Sequence, residues 1–134
     1  MPTAKVSDMG IQRTVPYDVE ETLTRVTATL KEQGFGVLTE INVSETLKAK
    51  LDVDFLRYHI LGACNPPFAH KALSLDPLAG LLMPCNVIVY TTGARESRVV
   101  GFDPRAMIHA FDHPELTALA DEISVRMQSA IDAV

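Results

Sequence analysis

Strand and helix signals alternate along the whole chain, and that alternation restricts its fold more than any other feature. Met9, Ile11 and Val15 alternate with Gly10, Gln12 and Thr14, which predicts a first strand whose apolar face is broken by Arg13. Asp18 and Glu21 have capping-box spacing, and Val19, Leu23, Val26 and Leu30 recur at helical intervals before Gly34, so a helix is expected over 18–33. Val37, Thr39, Ile41 and Val43 then alternate as a strand. Ser44 can cap a short helix carrying Leu47 and Leu51. Arg57 to Ala63 reads as the next strand. Asn65-Pro66 opens a helix to Leu75 that is expected to bury Phe68, Ala69, Ala72 and Leu73, because Asn accepts from free amides and Pro at the first position has none to lose. Asp76-Pro77 stops this helix and can open a short turn. Asn86–Thr91, a turn at Gly93–Glu96, and Arg98–Phe102 form a hairpin pattern. Asp103-Pro104 opens a further helical turn. From Pro114, Leu116, Leu119, Ile123, Met127, Ala130 and Ile131 define one face of a last helix.

The order is therefore β-α-β-α-β-α-β-β-α. In 134 residues it predicts one α+β domain: a single sheet of about five strands, with the long first and last helices packed on one face. Whether the strands pair in a mixed or an antiparallel sheet is left open. The composition, 47% hydrophobic and 22% charged, is enough to bury a real core. A net charge of -5 with scattered Lys and Arg gives no basic stripe for nucleic acid or an anionic membrane surface. No apolar run reaches bilayer length. Met1–Lys5 lacks the apolar core of a signal peptide, so a cytoplasmic protein with reduced thiols is expected.

The two cysteines occupy near-duplicate settings, Ala63-Cys64-Asn65-Pro66-Pro67 and Met83-Pro84-Cys85-Asn86-Val87. Cys64 immediately precedes a predicted helix, whose positive end would favour a thiolate. Cys85 begins a strand. If the strands near 58–63 and 86–91 are antiparallel neighbours, the two thiols lie at the same end of the sheet. If they are parallel, roughly 17–20 Å of strand separates them. The bland alternative is two inert, buried thiols.

His70 would complete a Cys64, Cys85, His70 set, enough for a Cu or Zn site of three ligands. A histidine on a helix flank is the simpler reading. His109 and His113 are four apart, but Pro114 biases His113 away from helical geometry, so Asp112 or His113 reads better as a cap. The carboxylates form no recognisable acid–base pair. Gly34-Phe35-Gly36 follows a helix and precedes a strand, the reverse of a dinucleotide loop.

Gly62-Ala63-Cys64-Asn65-Pro66-Pro67-Phe68-Ala69-His70-Lys71-Ala72-Leu73 and Gly80-Leu81-Leu82-Met83-Pro84-Cys85-Asn86-Val87, with Gly34–Ile41 and Val53-Asp54-Phe55, resemble domain-of-unknown-function family 302, of the TT1751-like fold. The resemblance spans about residues 9–133. It implies a compact, cytosolic α+β domain that forms a homodimer, and it implies no activity. Cys64, Asn65, Pro66, His70, Pro84, Cys85 and Asn86 match the pattern as positions only.

Three functions are compatible with these residues. The first is a non-enzymatic homodimeric module that binds a small ligand or soft metal at Cys64 and Cys85, oriented by Asn65 and Asn86. The second is a redox or sulfur-transfer protein with Cys64 reactive and Cys85 resolving, a reading weakened by spacing unlike Cys-x-x-Cys. The third is a structural or interaction module with inert thiols.

Overall fold

The computed structural model describes residues 10–134, apart from the side chains of 109 and 110. Five strands, β1 (Gly10–Val15), β2 (Gly36–Asn42), β3 (Tyr58–Cys64), β4 (Cys85–Gly93) and β5 (Glu96–Phe102), form one sheet in the order β1-β5-β4-β3-β2. Every pairing is antiparallel. The helices are α1 (Val19–Glu32), α2 (Val43–Leu51), α3 (Pro66–Leu75) and α4 (Pro114–Asp132), with short 3-10 turns at Pro77–Leu82, Pro104–Ala106 and Ile108–Phe111. The predicted order is the observed one. Met9, placed in the first strand from sequence, lies outside the described residues.

The core lies on one face of the sheet. Alternation along the strands turns Ile11, Val15, Leu61, Ala63, Val87, Val89 and Val99 to that side, where they meet Val26 and Leu30 of α1 and Met127, Ala130 and Ile131 of α4. The long first and last helices lie side by side there, as their apolar periodicity requires. A second apolar cluster, Ile108, Leu116 and Ala120, sits beyond the end of the sheet against Ala72, Leu75 and Leu82.

Local chemistry explains the element ends. Asp18 caps α1 by accepting from the Glu21 amide at 2.8 Å, while the Glu21 side chain pairs with Arg25 rather than closing the capping box. At the other end the Gly34 amide donates to Lys31 O and the Phe35 amide to Leu30 O. This is a Schellman stop, and Gly34 takes the left-handed backbone (φ 86°) that it demands. α2 starts earlier than Ser44. Asn42 is its cap, accepting from the Glu45 amide at 3.1 Å, and Ser44 donates to the Asn42 side chain. Asn and Ser are caps of similar strength, so position decided the boundary: Asn42 ends β2 with an extended backbone, and its side chain reaches the Glu45 amide.

Asp103 fastens the 104–111 segment to the last helix. Its carboxylate accepts from the Arg105 amide at 3.0 Å, from the Arg105 guanidinium and from the buried Ser124 hydroxyl. Burial pushes this carboxyl up, but the Arg105 and Ser124 hydrogen bonds outweigh it and hold the group below the ordinary Asp range. His113 begins α4 without a side-chain cap. The His109 side chain is outside the described residues, so its relation to His113 is too. No helix among the described residues is long and apolar enough to cross a membrane.

Candidate functional site

The antiparallel pairing of β3 and β4 brings both cysteine segments to one end of the sheet. Cys85 pairs in register with Ala63, and Cys64 pairs with Gly36 on the other side. The thiols are thus neighbours at the sheet end but not cross-strand partners. Both are free and half-buried. Strand alternation turns Cys85 to the core face with Ala63, and it packs against the main cluster.

A pocket opens where this strand end meets α3, α4 and the two 3-10 segments. Its accessible space is about 90 Å³. Cys64, Asn65 and Cys85 border it, and the remaining wall is apolar: Phe35, Phe68, Ala79, Met83, Leu116 and Ile123 among others. Some wall residues have a local cause. The Schellman turn after α1 drives Phe35 inward. The start of α3 presents Phe68 and Ala69 from its first turns. Asp103 holds Pro104 and Ile108 against α4.

Asn65 does not cap α3 with its side chain as the sequence led us to expect. Prolines at both first helical positions remove the amide at the second, one of the two donors such a cap uses. The freed carboxamide instead donates from Nδ2 to Gln33 O at 3.4 Å. Asn65 is therefore a tie between the pocket wall and the turn after α1, and it is itself buried. Leu73, expected inside, is 42% exposed, because the inward stripe of α3 runs through Phe68, Ala69, Ala72 and Leu75, which are half-buried, and no residue of the helix is fully buried.

Two other expected site residues are elsewhere. Asn86 is exposed and opposes Gly62, on the sheet face opposite Cys85, since one residue along a strand reverses the side chain. His70 is exposed on the far side of α3, where it lines a shallow groove with Lys71, Glu115 and Glu122. Five positions beyond Asn65, the helix has turned it away from the thiols. Among the described residues no three His, Cys, Asp or Glu side chains are grouped to hold a metal ion, so the Cys64, Cys85, His70 set is not assembled.

The electrostatics of the pocket are those of a dry site. Burial, and then the nearby Cys64, push the Cys85 thiol up to about 11. At neutral pH Cys85 is protonated, a weak nucleophile. Its alkylation by iodoacetamide is expected to be slow at pH 7 and to rise roughly tenfold per pH unit up to pH 10. A plateau below pH 9, read by peptide mass mapping, would contradict this placement. Outside the wall, Lys71 Nζ and the Arg126 guanidinium stand 5.9 and 5.4 Å from the centre of the Phe68 ring.

The sequence pointed to the thiols but not to the pocket behind them. Phe35 followed a recognisable helix stop, yet nothing local showed that Leu116, Ile123 and Pro104 would converge on it. That convergence is tertiary.

Comparison with known proteins agrees with this architecture. No curated protein matches the chain. The crystal structure of an uncharacterized conserved DUF302 protein from Bacillus stearothermophilus is similar, with a TM-score of 0.85 at 29% identity, covering 93% of this chain and 97% of that one. The profile of the domain of unknown function DUF302 matches residues 11–134. With the same fold throughout and a family match over nearly its whole length, the chain belongs to the DUF302 family.

Proposed function

We propose that this domain is a non-enzymatic binding module whose pocket at Cys64 and Cys85 takes the apolar end of a small molecule. The observation that carries this reading is the wall itself. Apart from the two thiols, Cys64 and Cys85, and the polar Asn65, every lining side chain is apolar. A concave apolar site with few convergent polar groups is the usual form of a small-ligand site. At about 90 Å³ it is smaller than the roughly 150 Å³ cavity that accepts benzene, so it suits a short or branched aliphatic tail. Lys71 and Arg126 beside Phe68 favour a ligand whose outer end is polar or anionic.

The thiol chemistry suggested by sequence has less support. A Cys85 thiol that ionises near 11 must lose its proton at a cost before it can attack or ligate. Two thiols with no third donor grouped beside them among the described residues also fall short of a zinc site. Protonated, Cys85 behaves as a small apolar wall residue.

The test is an NMR titration of ¹⁵N-labelled protein with 1-hexanol and with hexanoate. Saturable shifts are expected at Cys64, Asn65, Phe68 and Ala79 with both probes, and tighter binding of hexanoate if the cations contribute. Ala69→Leu, which fills the pocket from a half-buried position, is expected to weaken both at least tenfold. Absence of shifts at the pocket, or shifts undiminished in Ala69→Leu, would overturn the proposal.

A further inference from the structure

A second, larger space adjoins the apolar pocket on the outside. It is the groove between α3 and α4, about 520 Å³ in volume. Each helix divides its residues between the two spaces. α3 turns Phe68, Ala69 and Ala72 to the pocket, and Lys71 and Leu75 to the groove. α4 turns Leu116, Ala120 and Ile123 to the pocket, and Glu115, Ala118 and Glu122 to the groove. Leu119 lines both. It is half-buried, at the margin of the second apolar cluster with Ala72 and Leu75. Most of its neighbours on the seam are alanines, too short to close the gap between the helices. The partition between pocket and groove is therefore essentially one leucine side chain, which can change rotamer without unfolding a helix.

The two walls of the groove carry opposite charges. Lys71 stands on the α3 side, and Glu115 and Glu122, two helical turns apart, stand on the α4 side. Among the described residues neither glutamate has an ion-pair partner, and Lys71 has only the ring of Phe68, 5.9 Å from its Nζ. Phe68 belongs to the pocket wall, so Lys71 marks the boundary where the groove passes into the pocket. We propose that groove and pocket form one site for a free α-amino acid with a branched aliphatic side chain. Its carboxylate lies at Lys71, its ammonium at Glu115 or Glu122, and its side chain passes Leu119 into the pocket. This deepens, and rests on, the reading of the pocket as the seat of an apolar tail.

Charge and size select this class of ligand. A simple carboxylate would meet Lys71 but would also face two glutamates, in a chain that carries -5 overall. A simple amine would meet the glutamates and be repelled by Lys71. A head that carries both signs is matched on both walls, by charge-assisted hydrogen bonds to groups that no protein partner occupies. A peptide bond in place of the free carboxylate would leave Lys71 without an anion. The tail is limited by the pocket, whose 90 Å³ is below the roughly 150 Å³ that accepts a benzene ring, so an isobutyl or sec-butyl group suits it and an aromatic side chain does not. The wide groove leaves the head in contact with water, which lowers the cost of binding a charged group.

The experiment is an NMR titration of the ¹⁵N-labelled full chain with L-leucine, 4-methylpentanoate and 3-methylbutylamine, which share one tail and differ only in the head. L-Leucine is expected to shift amides on both sides of the partition, at Phe68 and Ala79 and at Lys71, Leu119 and Glu122. Its Kd is expected to be at least tenfold below that of either relative, and it should compete with 1-hexanol. Lys71→Gln, an exposed change, is expected to weaken leucine at least fivefold and leave 1-hexanol unaffected. Glu115→Gln with Glu122→Gln is expected to do the same. Leucine that binds no tighter than its two relatives, or that binds together with 1-hexanol without competition, would overturn the proposal. If 1-hexanol still shifts the pocket amides in that case, the pocket reading stands and only the amino-acid site falls. If 1-hexanol fails as well, both fall.

Discussion

Replacing Gly101 by alanine is expected to lower the unfolding free energy by about 1–3 kcal/mol, and replacing it by valine by more. Gly101 lies on β5 on the core face, paired with Ile11 and Val87. A methyl group there would stand 2.6 Å from Met127 Sδ, 2.8 Å from Met127 Cγ and 3.3 Å from Ile131 Cγ1. Those atoms cannot retreat easily, because Met127 and Ile131 are fully buried between α4 and the sheet. The glycine is what allows α4 to lie flat on β5. Met127→Ala alone should also destabilise, by about 2–5 kcal/mol, through the cavity it leaves. The two changes together should cost less than their sum, since each removes the clash or the void created by the other. Urea unfolding of the four proteins measures this. Strict additivity would show that the close approach of α4 to β5 is not what Gly101 serves.

Leu116→Ala is expected to cost about 2–5 kcal/mol and at the same time to enlarge the ligand pocket. Leu116 is 1% exposed and belongs both to the second apolar cluster and to the pocket wall. Its removal takes apolar contacts from Ile108 and Ala120, but the space it vacates adjoins a cavity that already exists. A ligand that fills the enlarged space should return part of the loss, by RT ln(1 + [L]/Kd), or about 2.7 kcal/mol at a hundredfold excess over Kd. The contrast is Leu30→Ala, a fully buried change in the main core at a residue that does not line the pocket, which should be as destabilising and show no larger ligand rescue than the wild type. Thermal unfolding with and without 1-hexanol separates the two. Equal ligand shifts in both variants would detach Leu116 from the binding site.

The fold was legible in the sequence wherever one face of an element carried the information. The alternation of Ile11 and Val15, the helical spacing of Val19 to Leu30 and of Leu116 to Ile131, and the hairpin around Gly93–Glu96 each gave type and place. What failed were features that depend on competition or on distant partners. Asn65 has the identity of a cap, but the second proline withdraws a donor and Gln33 O, thirty-two residues away in sequence, offers another partner. His70 matched a ligand set in composition, and the helix turned it outward. Asn86 copied the setting of Asn65, but one residue of strand register sent it to the opposite face from Cys85. The thiol pair depended on a topological fact, strand direction, that local pattern does not encode.

The pocket is the centre of the functional reading, and diffraction from crystals pressurised with xenon tests it most directly, because xenon seeks dry apolar cavities. The expected result is a xenon atom between Phe68, Ala79, Ile123 and Cys85, lost in Ala69→Leu. A pocket that remains free of xenon and filled by ordered, hydrogen-bonded waters would contradict an apolar binding site at Cys64 and Cys85.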